Sequence, residues 1–138
     1  MYGSLDISVS GMIAQRTRMN VIASNVANAS ATRNADGESI PYRRRIASFM
    51  PGDPSSTTKH GRQMGVHVAE IDLDESPFQK RYDPHHPDAQ EDGYVLTPNV
   101  NPAIENVNAL EAARAYEANV VAAEASKTML AQALRLIA

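Results

Sequence analysis

Apolar side chains near the start of the chain fall at Leu5, Val9, Met12, Ile13, Met19, Ile22, Ala23 and Val26. Those steps of three and four trace one face of a helix, and they predict one from about Ser4 to Asn28. Within it Leu5, Met12, Met19 and Val26 stand seven apart, the repeat of a helix that packs lengthwise against another. The far end of the chain repeats the pattern. Ala109, Ala113, Tyr116, Val120, Ala123, Lys127, Leu130, Leu134 and Ile137 alternate steps of four and three, broken only by Lys127. Asn101 is a good N-cap, Pro102 suits the first helical position and Glu105 complements the helix dipole. With no helix breaker from Ala103 to Ala138, the second helix can run ~50 Å at 1.5 Å per residue.

Between these helices the period changes. Residues 30–100 hold all but one of the eight prolines and most of the glycines. Short strand-like runs lie at Tyr42 to Met50, Gly65 to Asp72, Phe78 to Tyr82 and Gly93 to Thr97, separated by turn chemistry such as PGDPSS, DESP and DPHHPD. In GVHVAEIDL, Val66, Val68 and Ile71 follow a two-residue period with one slip, as at a β-bulge. The chain is therefore predicted to be α+β. Its long N- and C-terminal helices (1–30 and 100–138) pack together as a coiled-coil-like unit, and a small, irregular, loop-rich β domain (31–99) is inserted between them.

Composition adds a reason to expect partners. Leu, Ile, Val and Phe make up 27 of the 138 residues, and there is no Trp, so apolar area is thin against the ordering entropy of the chain. Alanine-rich helices gain burial by meeting other helices at close range. Both seams also run nearly to the chain ends, where a free-standing domain would fray into polar tails. The net charge of −3 argues against nucleic acid or an anionic membrane as the main partner. Arg43-Arg44-Arg45 does not reverse this, because a strand sends consecutive side chains to opposite faces, and a solvated strand is expected there. No apolar segment approaches the ~20 residues that span a bilayer, and no conventional secretory signal opens the sequence.

Candidate chemistry is sparse. Without cysteine there is no disulfide, thiolate site or cysteine nucleophile. His85-His86, with Asp83, Asp88 and Asp92 nearby, is the one cluster worth testing as a metal or ligand site. Adjacent histidines between prolines point to opposite sides, however, whereas a chelating pair sits at i, i+2 on a strand or i, i+4 on a helix. The run from Asp88 resembles an EF-hand loop only at its start, since its third position is Gln90 and its twelfth Asn99. No nucleophile elbow or phosphate loop occurs. No enzyme activity and no cofactor are expected.

SNVANAS, residues 24–30, closes the first helix without a single charge. Together with Thr32 it resembles the S-N-(N/V/I)-A-N-x-x-T signature of the bacterial flagellar axial proteins, the family of rod, hook and hook-junction subunits. Pro41-Tyr42-Arg43 partly matches the G-Y-(K/R) element that follows. AYEANVVAAEASK, around Tyr116 to Lys127, is similar to the family's C-terminal Y-E-A-N signature. Tyr82-Asp83-Pro84, Pro87-Asp88-Ala89, Asp92-Gly93-Tyr94-Val95 and Pro98-Asn99-Val100-Asn101 resemble the linker of its proximal rod subunits, whereas Ser48 to Gly65 matches least.

The resemblance implies a non-enzymatic subunit of the basal-body rod, which polymerises through its terminal helices into the shaft that transmits torque across the periplasm. It implies export through the flagellar type III apparatus without a cleaved signal. Partners would be other rod subunits and further copies of itself, with no nucleic acid and no direct membrane insertion. Assembly contacts are expected from Leu5, Met12, Met19, Asn25, Val26, Asn28, Ala113, Tyr116, Glu117, Asn119, Val120, Ala123, Leu130 and Leu134. Replacing Asn25 and Asn119 by Leu is expected to spare folding and block incorporation. The asparagines could instead only cap their own helix. Two other classes stay open: a soluble metal- or ligand-binding module centred on His85-His86, and an adaptor that binds one partner through its two helices.

Overall fold

The computed structural model describes residues 2–137, with residues 2, 60 and 137 described by their backbone alone. Seven elements follow one another: α1 (Tyr2–Ala27), β1 (Arg45–Pro51), α2 (Lys59–Met64), β2 (Val66–Leu73), β3 (Gln79–Tyr82), β4 (Tyr94–Thr97) and α3 (Pro102–Ile137). The fold is α+β, with long terminal helices packed together and two small sheets between them, β1 with β2 and β3 with β4. The chain divides into two compact units. The first comprises Met1–Met19, Ala47–Ile71 and Leu110–Ala138, and the second Asn20–Ile46 and Asp72–Ala109.

In the first unit α1 and α3 run antiparallel. Gly11 lies against Asn119, and seven residues on, Arg18 pairs with Glu111 at 3.0 Å. Gly11 is what allows the close approach: a Cβ there would sit 2.8 to 2.9 Å from the Asn119 carboxamide. The closest line of contact on α1 thus falls one position before the predicted Met12 and Met19, which are half-buried. Hydrophobic spacing could not locate it, because the residues of closest approach are a glycine and an arginine.

The segment after β1 is clasped to α1. Thr58 caps α2 by accepting from Gly61 N at 3.0 Å, and its hydroxyl donates to Asp6 Oδ2 at 2.5 Å. Ser10 Oγ accepts from Val66 N at 3.1 Å as β2 begins. Gly52, at φ +85°, turns the chain out of β1 where a side chain would strain the backbone. Its N–H bonds Gly65 O at 2.6 Å, and its carbonyl meets His67 Nδ1. The short helix α2 was not predicted, since six residues with one internal glycine show no period.

The second unit has its core in Val21, Ile22, Val95 and Val100, all buried. β3 and β4 form an antiparallel hairpin in which Gln79 faces Thr97 and Tyr82 faces Tyr94. The Tyr82 and Tyr94 rings meet edge to face with centroids 5.3 Å apart. Asn101 caps α3 as expected, its Oδ1 accepting from Ala103 N at 3.0 Å. α3 then runs to Ile137, and Ala138 lies outside the described residues.

Candidate functional site

The uncharged end of α1 resolves into a buried polar network. Asn25 is 1% exposed, and both atoms of its carboxamide are fully engaged. Its Nδ2 donates to Arg45 O at 2.8 Å and to Glu105 Oε2 at 3.0 Å. Its Oδ1 accepts from Arg45 N at 2.9 Å and from the Tyr42 hydroxyl at 3.0 Å. By bonding both the N–H and the C=O of Arg45, the side chain does for that residue what a neighbouring strand would do. A charged side chain here would face desolvation without a matching set of partners.

Glu105, also 1% exposed, is the hub of this cluster. Its Oε1 accepts from Arg44 Nε at 2.9 Å and Nη2 at 2.7 Å, a forked contact on one oxygen. Arg44 reaches Asp74 Oδ2 at 3.3 Å with its third nitrogen. Asn99 accepts from Arg44 N at 2.8 Å and donates to Asp74 O at 3.0 Å. Burial opposes the charge of Arg44, yet Glu105 and then Asp74 outweigh it and raise its pKa. The arginine run is therefore not a solvated strand. Arg44 is tied into the network, and Arg43 lies over the Phe78 ring at 4.5 Å. Arg43 Nη1 also donates to Asp74 O at 2.9 Å, so both arginines, which come just before β1 begins at Arg45, are drawn to the same turn.

Asn28 ends its own helix, with Nδ2 donating to Ser24 O at 2.8 Å. Asn119 likewise bonds its own helix, donating to Ala115 O at 2.9 Å. Of the other residues expected to make assembly contacts, Val26, Glu117 and Leu134 stand exposed. Leu5, Met12, Met19, Ala113, Tyr116, Val120, Ala123 and Leu130 are half-buried within the chain. The residues of α3 that are wholly buried, Glu105 and Ala112, are ones the predicted row did not contain. The expectation that Asn25→Leu spares folding changes accordingly, because leucine would strip four hydrogen bonds from a buried site.

Three aspartates hold turns in place by keeping their charge. The Ser76 backbone and hydroxyl hold Asp74 below the usual carboxylate range against burial, aided by Arg44. The Ser55 hydroxyl does the same for Asp53, and Arg33 does so for Asp88. A depressed folded-state pKa adds stability above the unfolded value, which is lost as pH falls through the folded one. Stability should therefore decline as pH falls below about 4. Thermal melts from pH 7 to pH 2 in low salt check this, and an unchanged melting temperature at pH 2.5 would contradict it.

The histidine pair is not organised as a metal centre. His85 is exposed, whereas His86 Nδ1 accepts from Asp88 N at 3.1 Å. Asp88 is occupied by Thr32 and Arg33 at 2.9 and 2.8 Å. Among the described residues, no three His, Asp or Glu side chains are placed to hold a metal ion.

Comparison with known proteins gives a consistent set of matches. Residues 5–35 match the family described as flagella basal body rod protein, and residues 91–136 match the C-terminal family of flagellar basal body rod FlgEFG proteins. The flagellar basal-body rod protein FlgC of Bacillus subtilis is 42% identical to this chain, covering 98% of it and 97% of the relative. FlgC of Borreliella burgdorferi is 39% identical, with 99% and 97% covered. FlgC of Salmonella typhimurium is 37% identical, with 95% and 93% covered. The matched N-terminal stretch carries Asn25, and the C-terminal one carries Asn99 and Glu105.

Proposed function

The chain belongs to the flagellar basal-body rod proteins of the FlgC type, and on that footing we propose that it polymerises through its terminal helices to form part of the proximal rod. As a member of that family it is a structural rod subunit and not an enzyme. Its partners are further copies of itself and other rod subunits, and its place is the periplasmic stretch of the rod, where it helps transmit torque. It reaches that place through the flagellar type III export apparatus.

One observation carries the polymerisation reading. On the α3 portion of the first unit, Leu110, Val121, Met129 and Leu134 are each 60–64% exposed, and Leu136 is 89% exposed. An amphipathic helix in a free-standing fold would put polar side chains at such positions, and so much exposed apolar surface marks a site of interaction. Glu117, on the same portion of α3, is exposed as well.

The test is to isolate basal bodies from cells that express a tagged copy and probe them for the chain. Recovery with the rod, resistant to a salt wash, is expected. Its absence from basal bodies that carry complete rods would overturn the proposal.

A further inference from the structure

In the first unit, α1 and β2 flank a groove of about 480 Å³. Ile13, Ala14 and Thr17 of α1 form one wall and residues 66 to 71 the other, with Asp53 and Ser55 also lining it. Ile13 and Ile71 stand exposed along it. The polar side chains of the groove have already spent their hydrogens. Ser10 Oγ donates to Ile7 O at 2.7 Å, Thr17 Oγ1 to Ile13 O at 3.0 Å and Ser55 Oγ to Asp53 Oδ1 at 2.6 Å. His67 Nδ1 meets Gly52 O, and because a carbonyl only accepts, that nitrogen carries the ring proton and leaves Nε2 of the neutral ring as an acceptor. Glu70 is exposed, and among the described residues it has no ion pair. The side chains thus offer apolar walls and hydrogen-bond acceptors, two of them carboxylates. An occupant that fits has to bring donors, positive charge and apolar surface together.

We propose that the groove receives residues 127–135 of α3 from a second copy. This deepens the polymerisation reading and rests on it. Lys127, Ala131 and Leu134 follow the four-three step of one helix face with Arg135 beside it, and all four are exposed. Two cations there flank an alanine and a leucine, and among the described residues neither Lys127 nor Arg135 has an ion pair within its own chain. The lengths agree as well: residues 127 to 135 span about 12 Å at 1.5 Å per residue, and the α1 wall from Ser10 to Thr17 about 10 Å. The chain's own α3 cannot supply the segment. Gly11, beside the groove, lies against Asn119, and Arg135 is about 24 Å further along the helix. In the contact Arg135 pairs with Glu70 while Leu134 covers Ile13. Groove and helix segment are different surfaces, so the contact is head-to-tail and can repeat from copy to copy.

The absence of native cysteine makes cross-linking a clean test. Basal bodies are isolated from cells expressing Ile13→Cys/Leu134→Cys, treated with a short bismaleimide, and run on a denaturing gel. A ladder of multiples of this chain is expected, with none from either single variant. A second pair, Ile71→Cys/Ala131→Cys, should give the same ladder and covers a failure of the first pair to incorporate. Charge supplies an independent arm. Glu70→Arg and Arg135→Glu should each cut recovery of the chain in basal bodies about tenfold or more, as like charges pressed together between partners do, and combining the two should restore it. No ladder from a pair that is present in the basal bodies would overturn the docking, as would two single charge reversals that enter the rod normally. So would cross-links to a chain of another size, which would mean that a different subunit fills the groove. If the ladder is missing while the chain stays in the rod, only the groove contact falls. If the unaltered chain is missing from complete rods, the rod reading falls instead.

Discussion

Glu105→Leu should unfold the second unit at temperatures the unaltered chain withstands. The substitution puts an apolar side chain of similar size into a site that is 1% exposed, but it leaves the Arg44 guanidinium with only Asp74 at 3.3 Å and removes an acceptor from Asn25. Removing one partner of a buried ion pair typically costs about 3–5 kcal/mol. Asn25→Leu should come close to this, since it strands both backbone groups of Arg45 and the Tyr42 hydroxyl at about 1–3 kcal/mol for each group left dry. Glu105→Gln, which can still accept from Arg44, should lose less. Urea unfolding of the purified variants measures all three. A loss below about 1 kcal/mol for Glu105→Leu would mean that water enters and replaces the carboxylate.

A change at the exposed side of α3 should do the opposite, leaving the fold intact and abolishing assembly. Val121 is 64% exposed and Met129 60%, so Val121→Glu and Met129→Glu disturb nothing inside the chain. Their effect on unfolding should stay within about 0.5 kcal/mol, as for ordinary surface substitutions. In a rod, the same carboxylates would be buried unpaired against a neighbouring helix, at a cost of several kcal/mol for each copy. Export should continue, while incorporation and swimming are lost. Normal swimming of both variants would move the assembly contact off this side of α3. Ala123→Glu is a poorer probe, because Ala123 is half-buried within its own chain and a carboxylate there disturbs folding as well.

The contrast between these two experiments shows what hydrophobic spacing can and cannot reveal. The periods of three and four located both helices to within a few residues, and the cap at Asn101 and Pro102 placed the start of α3. The strands of the middle region emerged from turn chemistry and a two-residue period, with β1 starting at Arg45 instead of Tyr42. Spacing missed the line on which α1 and α3 meet in the first unit, because Gly11 and Arg18 count as neither large nor apolar. It also missed the partners of Asn25. Glu105 was legible only as a charge suited to the helix dipole, and Arg44 only as one of a solvated trio, since their pairing spans 61 residues of chain. A buried polar network leaves no periodic trace, and the uncharged stretch SNVANAS supplies only its Asn25, while the charges that Asn25 meets, Glu105 and Arg44, come from distant parts of the chain.

As a structural subunit of the rod, this chain should be one without which the rod is not built. Deleting its gene and imaging the basal bodies by electron microscopy tests that most directly. The expected result is membrane rings without a rod and non-motile cells, with rods and swimming restored by the unaltered chain but not by Val121→Glu. Full-length rods in the deletion strain would contradict it.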